Sequence, residues 1–493
     1  MKGILSIRAS LAAGLLAVLA AACSDSGAPL VAPDEPSVPI PGTTSIVGAR
    51  QVDAYIVTIA DRGLTPAGGR RLVTAQMVDA VESTGGSVAR EWPQIGRALV
   101  RGISEAEAAA LARVPGVQSV TRDVVVPWIP TPTHVELLEV DQSQVAVPST
   151  VTDPTDAVFW HIFQWNMKLI QVDDAFAVQT GDPSIEVAIL DSGITPEHLD
   201  MEGNVDLARS QSVINTGGDP SCPAADQTDF RDFNFHGTHV ASIVTSNNIG
   251  AASVAPNGTL VAVKVLNCRG SGSFSDVIDG LLYAASLPVD VINMSIGVPG
   301  GVPDIPAFQP LIDAVGDAVG VAIDANIAVV NSAGNDGRRL FPRDQTHPSA
   351  VNNILVPGQT HPDIVRVSAV GPINQTQFNR LASYSNFGEP ITVAAPGGDF
   401  ISGNSLDFVI GACSPLQVDL PFSCGFGSYV LVVGTSQAAP HAAGVLALID
   451  AETGGSQSEG DLREQLEQTA DSRVGIRLTH GAGRINAFEA AQW

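Results

Sequence analysis

Four short segments carry residue types suited to acyl transfer. AILDSGI (residues 188–194) places Asp191 at the carboxyl edge of an apolar run, and NFHGTHVASIV (234–244) opens a helical stretch with His236. VVNSAGNDG (329–337) ends a second apolar run with Asn335 in a Gly-flanked turn, and GTSQAAPHAAG (434–444) puts Ser436 at the start of a late helix. Each has an ordinary explanation when taken alone: a DSG turn, a structural histidine, an Asn in a turn, a serine helix cap. Together they supply a carboxylate to orient an imidazole, an imidazole to move a proton, a hydroxyl nucleophile and an amide donor for an oxyanion.

These residues need a scaffold that brings distant segments together. Apolar runs IEVAIL (185–190), LVAVKVL (260–266), VDVINMS (289–295), IAVVNS (327–332), IVRVSAV (364–370) and ITVAA (391–395) alternate with helical stretches such as SDVIDGLLYAAS (275–286). That alternation predicts a three-layer α/β domain over residues 158–493, with a mostly parallel central sheet. Ligands sit at the carboxyl ends of such strands, where Asp191 and Asn335 fall. Pro440 is expected in the first turns of its helix, where a missing donor costs least, and Gly434 is read as the permissive backbone position that lets Ser436 face the cleft.

Residues 52–126 form a separate pattern, βαββαβ, which predicts a small α+β ferredoxin-like domain. Ser104 and Glu107 make a capping box for its second helix. Before it, residues 23–51 are rich in Pro, Ser and Gly and read as a flexible tether; after it, the proline-punctuated residues 127–157 read as a linker. Residues 1–22 carry Lys2, Arg8 and an apolar run too short to span a membrane, the anatomy of an export signal. Cys23 follows small residues in a manner similar to the lipobox of bacterial lipoproteins, although Ala20 stands where that motif has Leu. Two outcomes stay open, lipidation of Cys23 or ordinary cleavage after Ala22. Either predicts an exported protein, in the cell envelope on a lipid anchor or extracellular.

The formal net charge is −26, with the surplus acid beyond residue 127, which excludes phosphate-neutralising nucleic-acid binders. Export favours two disulfides among Cys222, Cys268, Cys413 and Cys424, with Cys413–Cys424 the natural local pair of three connectivities. Their spacing does not suggest zinc.

DSGI, HGTHVA, SVAPNGTLVAVKVL, VINMSIG, NSAGN and GTSQAAPHAAG match, in order, the signature segments of subtilisin-like serine proteases. The resemblance runs from about residue 158 to the family-like GAGRINAFEAA near the end. It implies that Ser436 attacks the scissile carbonyl, His236 transfers the proton, Asp191 orients His236, and Asn335 joins the Ser436 N–H at the oxyanion. It implies protein or peptide substrates bound along Ser295, Ile296, Gly297, Ala333 and Gly334. Residues 52–126 resemble the family's inhibitory propeptide, an intramolecular inhibitor and folding aid, with a processing site between 127 and 157.

The chemistry requires no cofactor. A structural calcium ion is allowed at Asp200, although the neighbouring loop SNNIGAASVAP is one residue shorter than the family's ligand loop. Gln437 and Ala439 depart from common family residues without removing a catalytic group. Residues 397–429 resemble an insertion, expected as a surface hairpin or as a lid over the cleft. Two other classes compete: a catalytically silent binding module on the same fold, and an esterase, which the absence of a G-x-S-x-G elbow at Ser436 disfavours.

Overall fold

The computed structural model describes residue 46, residues 48–59 and, from 75 to 492, all but 142, 144, 146–147, 149, 216–218, 304–305, 342–352 and 355–359. The export signal, Cys23 and nearly all of the tether therefore lie outside the described residues.

The N-terminal unit has β1 (Arg50–Ile59), α1 (Ala75–Glu82), β2 (Ser87–Trp92), β3 (Arg97–Arg101), α2 (Glu105–Leu111) and β4 (Val117–Pro127). Its four strands are antiparallel in the order β2-β3-β1-β4. Ser104 and Glu107 cap α2 reciprocally, as their spacing predicts. Strand alternation divides the sheet's two faces. Tyr55 and Val57 pack with Met77, Val81, Ala108 and Leu111 of the unit's own helices, whereas Ala54 and Ile56 join a larger core shared with the rest of the chain.

Next comes β5 (Glu136–Glu139), then β6 (Glu186–Asp191), β7 (Gln211–Ser212), α3 (His236–Val244), β8 (Thr259–Lys264) and β9 (Ser271–Ser273). They are followed by α4 (Phe274–Ala284), β10 (Val291–Met294), α5 (Gln309–Asp324), β11 (Ala328–Ser332), β12 (Val365–Val370) and β13 (Val393–Pro396). Last are β14 (Val409–Ala412), β15 (Ser428–Val432) and α6 (Thr435–Glu452). The central sheet has seven strands, β13-β12-β11-β10-β6-β8-β7, and every pairing in it is parallel.

Period-two alternation again sorts the layers. Val187 and Ile189 of β6 face a core with Val240 and Ile243 of α3 and Leu446 of α6; Ala188 and Leu190 face Val277 and Leu281 of α4 and Val315 of α5. The result is a sheet between two helical layers, the fold class the sequence predicts.

Two segments differ from expectation. Residues 127–157 are not wholly irregular, because β5 pairs antiparallel with β15, which pairs in turn with β14. A four-residue strand between prolines has too little periodicity to stand out; the open edge of β15 supplies its partner. Residues 397–429 are more than a surface hairpin, because only loop residues outside their antiparallel strands are exposed. Strands β14 and β15 are fully buried beneath α3, with Ala412 N–H donating to Ser242 Oγ at 2.9 Å. The Cys413–Cys424 disulfide closes the loop between them, and Cys222–Cys268 ties the loop after β7 to the turn before β9.

Candidate active site

Asp191 ends β6 and is wholly buried. Its carboxylate faces His236 Nδ1, with Oδ1 at 2.9 Å and Oδ2 at 3.0 Å, and Oδ1 also accepts the Ser192 N–H at 2.7 Å. His236 is the first residue of α3, placed by a turn in which Phe235 takes φ 109°. That unfavourable backbone is held by Asp232, whose oxygens accept from Asn234 N, Phe235 N, Thr238 N, Thr238 Oγ1 and Ser192 Oγ at 2.7–3.0 Å. Sequence reading passed over Asp232; its only signal is an acidic residue before a helix start.

HGTHVA contains two histidines, and their surroundings separate them. His239 is buried against the Val430 carbonyl, and burial, reinforced by the nearby His236, pushes its pKa down to about 3. It stays neutral. Burial likewise brings His441 on α6 to about 4.

Ser436 lies in the first turn of α6. Its hydroxyl donates to the Ser295 carbonyl at 2.8 Å, and Ser295 Oγ donates back to the Ser436 carbonyl at 2.8 Å. Gly434 has φ 163°, extended backbone open to any residue, so the expected conformational role is corrected. Space is the reason for glycine: a Cβ there would stand 2.7 Å from Gln437 Oε1 and 3.5 Å from Asn335 Nδ2.

Asn335 is oriented by a residue that sequence reading did not single out. Thr435 N–H and Oγ1–H donate to Asn335 Oδ1 at 2.9 and 2.8 Å, which fixes the amide with its NH2 turned away from Thr435. The Thr435 hydroxyl oxygen also accepts the Gly334 N–H at 3.0 Å, and Gly334 needs its φ of 90° to make that turn. Asn386, which carried no signal, accepts nothing from Ala333 but donates to its carbonyl at 2.9 Å. The site's walls are apolar, with Ile296, Val298 and Ala333 buried.

Between β9 and Ser295–Gly297 lies a cleft, and the chain's own β4 runs into it. Val125, Val126 and Pro127 pair antiparallel with Ser273, Gly272 and Ser271. Trp128 N–H donates to Gly270 O at 2.9 Å, its carbonyl accepts from Gly297 N–H at 3.0 Å, and its indole N–H reaches Gly272 O at 3.0 Å. Trp128 and Ile129 are buried there.

Beside Asp191, the buried Lys264 ammonium stands 3.0 Å from Asp226 Oδ1 and donates to Ser192 O at 2.5 Å. Asp226 also lies near Cys222 and Cys268, but those sulfurs are bonded to each other, so the trio is not a metal site.

Asp200 does not fit a calcium ion. Its buried carboxylate accepts N–H groups from Ile249 at 2.7 Å, Gly250 at 3.2 Å and Ala251 at 3.0 Å. The nearby carbonyls of Leu199 and Glu202 are engaged by Asn247 Nδ2, each at 2.9 Å. A cation needs converging oxygens, and here N–H dipoles converge instead.

Residues 182–484 match the family model described as the subtilase family. The chain is 30% identical to a thermophilic serine proteinase of Bacillus sp. (strain AK1), over 69% of each chain. It is 32% identical to a subtilisin of Bacillus pumilus, over 63% of this chain and 91% of that one. In fold it resembles the epidermin leader peptide processing serine protease of Staphylococcus aureus, with TM-score 0.66 and 20% identity, over 90% of this chain and 99% of that one. Buried Asp191 against His236, Ser436 opening a helix and a strand-lined cleft thus sit within a sequence match covering most of the sheet, and the chain belongs to the subtilase family of serine proteases.

Proposed function

We propose that this endopeptidase works through Asp191, His236 and Ser436 and is made as a zymogen that processes itself. The observation that carries the reading is the short contact between buried Asp191 and His236 Nδ1, which fixes the imidazole with Nε2 as its acceptor. For the reaction the Ser436 hydroxyl has to turn from Ser295 O to that nitrogen. Ser436 Oγ then adds to the substrate carbonyl while His236 takes the proton, and the Asp191 carboxylate stabilises the imidazolium. The tetrahedral oxyanion is met by the Asn335 amide and the Ser436 N–H at the positive end of α6. His236 returns the proton to the leaving nitrogen, and water releases the acyl group by the same steps.

Substrates would bind as a strand between β9 and Ser295–Gly297, the place of residues 125–129, so that main-chain hydrogen bonds bind and side-chain pockets select. The N-terminal unit would then be an intramolecular inhibitor, its last strand filling the cleft. Apolar walls at Ile296, Val298 and Ala333 favour an uncharged, medium to large residue before the cut. Export, by signal peptide or lipid anchor, completes the proposal and rests on residues 1–23 alone.

The test compares intact mass of wild type and Ser436→Ala after identical incubation. Loss of the N-terminal unit only in wild type supports self-processing. Retention in both, with no turnover of chromogenic peptides even after a second protease has removed the N-terminal unit, removes the reading in favour of a silent module. Fastest turnover after Arg or Lys would overturn the specificity.

A further inference from the structure

We infer that the first bond this enzyme cuts is Pro130–Thr131, and that Pro130 makes the cut slow. The inference rests on the proteolytic reading above and deepens it by naming the bond and its brake.

Two anchors place the bond. On one side, Trp128 O meets Gly297 N–H at 3.0 Å, and Ser295 lies two residues before Gly297. Extended backbone repeats its direction every second residue, so antiparallel register sets Pro130 opposite Ser295. Ser295 and Ser436 are joined by two hydrogen bonds of 2.8 Å, so this register delivers the Pro130 carbonyl to the nucleophile. On the other side, β5 pairs antiparallel with β15, Glu136 opposite Leu431. Continued backward, that register lays Val135 beside Val432 and His134 beside Val433, and His134 stacks on Phe400 with ring centroids 5.5 Å apart. Residues 130–133, mostly exposed, must therefore cross Gly434–Ser436.

Among the bonds in this crossing, Ile129–Pro130 and Thr131–Pro132 are tertiary amides, whose leaving nitrogen carries ring carbon in place of hydrogen. Pro130–Thr131 and Pro132–Thr133 are ordinary secondary amides, and the register with Ser295 puts the first of them at Ser436. In the cut, Ser436 Oγ bonds to the Pro130 carbonyl carbon, the bond to Thr131 N breaks, and the hydroxyl proton passes through His236 to that nitrogen. Water then hydrolyses the ester, leaving a Pro130 carboxylate and restoring Ser436. Strand β5 remains with the enzyme, since Leu137 packs with Phe235, Val430 and Val432.

The brake is a missing N–H. Any other residue at 130 would donate to Ser295 O; proline has nothing to give. In this chain Ser295 O accepts the Ser436 hydroxyl instead, which holds the nucleophile's one proton away from His236.

The experiment follows intact mass and N-terminal sequence over time for the full chain, as wild type, Pro130→Ala, and Pro130→Ala with Ser436→Ala. Expected are a new N-terminus at Thr131 in the first two, appearing about tenfold faster in Pro130→Ala, and an uncut double variant. Pro130 is exposed, so alanine leaves folding intact. A first cut elsewhere, or equal rates, overturns the inference. Should no chain be cut, the N-terminal unit is digested away with a second protease. Peptide turnover then means that this inference alone has failed, and no turnover means that the proteolytic reading has failed.

Discussion

Ser436 and Ser295 solve a problem created by Pro440. Proline at that position lacks the N–H that would reach the carbonyl four residues back, and that carbonyl belongs to Ser436. Ser295 Oγ supplies the missing donor at 2.8 Å, so α6 continues through Glu452 unbroken. Ser295→Ala should therefore cost about 1–3 kcal/mol, the penalty of a buried unpaired carbonyl, in urea unfolding of a Ser436→Ala background. Adding Pro440→Ala should recover part of that loss; strictly additive losses would refute the pairing. Thr435 acts on chemistry in the proposed mechanism, because it sets which end of Asn335 faces the cleft. Thr435→Val should lower kcat about tenfold with KM nearly unchanged, since the lost orientation matters only once an oxyanion forms. Asn335→Leu should cost more, about 3 kcal/mol, the magnitude known for the corresponding donor in subtilisin.

At the scale of elements, strands β6, β10 and β11 and helices α3 and α6 position the site, and the disulfides secure the loops between them. Cys222–Cys268 closes a separation of 46 residues, and loop-closure entropy puts its worth near 4 kcal/mol. Replacing both cysteines with serine should lower the denaturant midpoint markedly, with the m-value showing whether the unfolded state also expands. Six of the seven central strands were legible as continuous apolar runs because burial on both faces demands them, whereas the edge strand β7, two polar residues long, was not. Asp191, His236, Asn335 and Ser436 were legible because their segments keep a recognisable order. Strand β5 was not, since its partner β15 is almost 300 residues away and lends it order that its own four residues lack. Thr435, Asp232 and Asn386 were hidden for a related reason: each acts by hydrogen bonds whose partners become neighbours only in the fold, and Thr, Asp and Asn taken locally look like turn residues.

Across the whole molecule, the N-terminal unit shares a core with the protease, and its lower sheet face is covered by α4 and α5. Asp123 is sealed there against the start of α4, facing Ser275, Asp276 and its neighbour Val124. Burial above all holds its carboxyl protonated up to about 7, against an ordinary 3.8. The folded chain thus keeps a proton that the unfolded chain has released. The stabilisation is complete below about pH 4 and disappears as pH climbs to about 7. Thermal melting of the Ser436→Ala chain should accordingly show Asp123→Asn gaining on its parent between those limits; a constant gap would count against it. Asp279, pushed up to about 6 by burial beneath Trp92, adds to the same trend. A different kind of independence follows from Asp200. Where the carboxylate is satisfied by three amides of its own chain, the loop after α3 owes its shape to no dissolved ion. An enzyme built this way would keep that corner of its fold in a strong chelator.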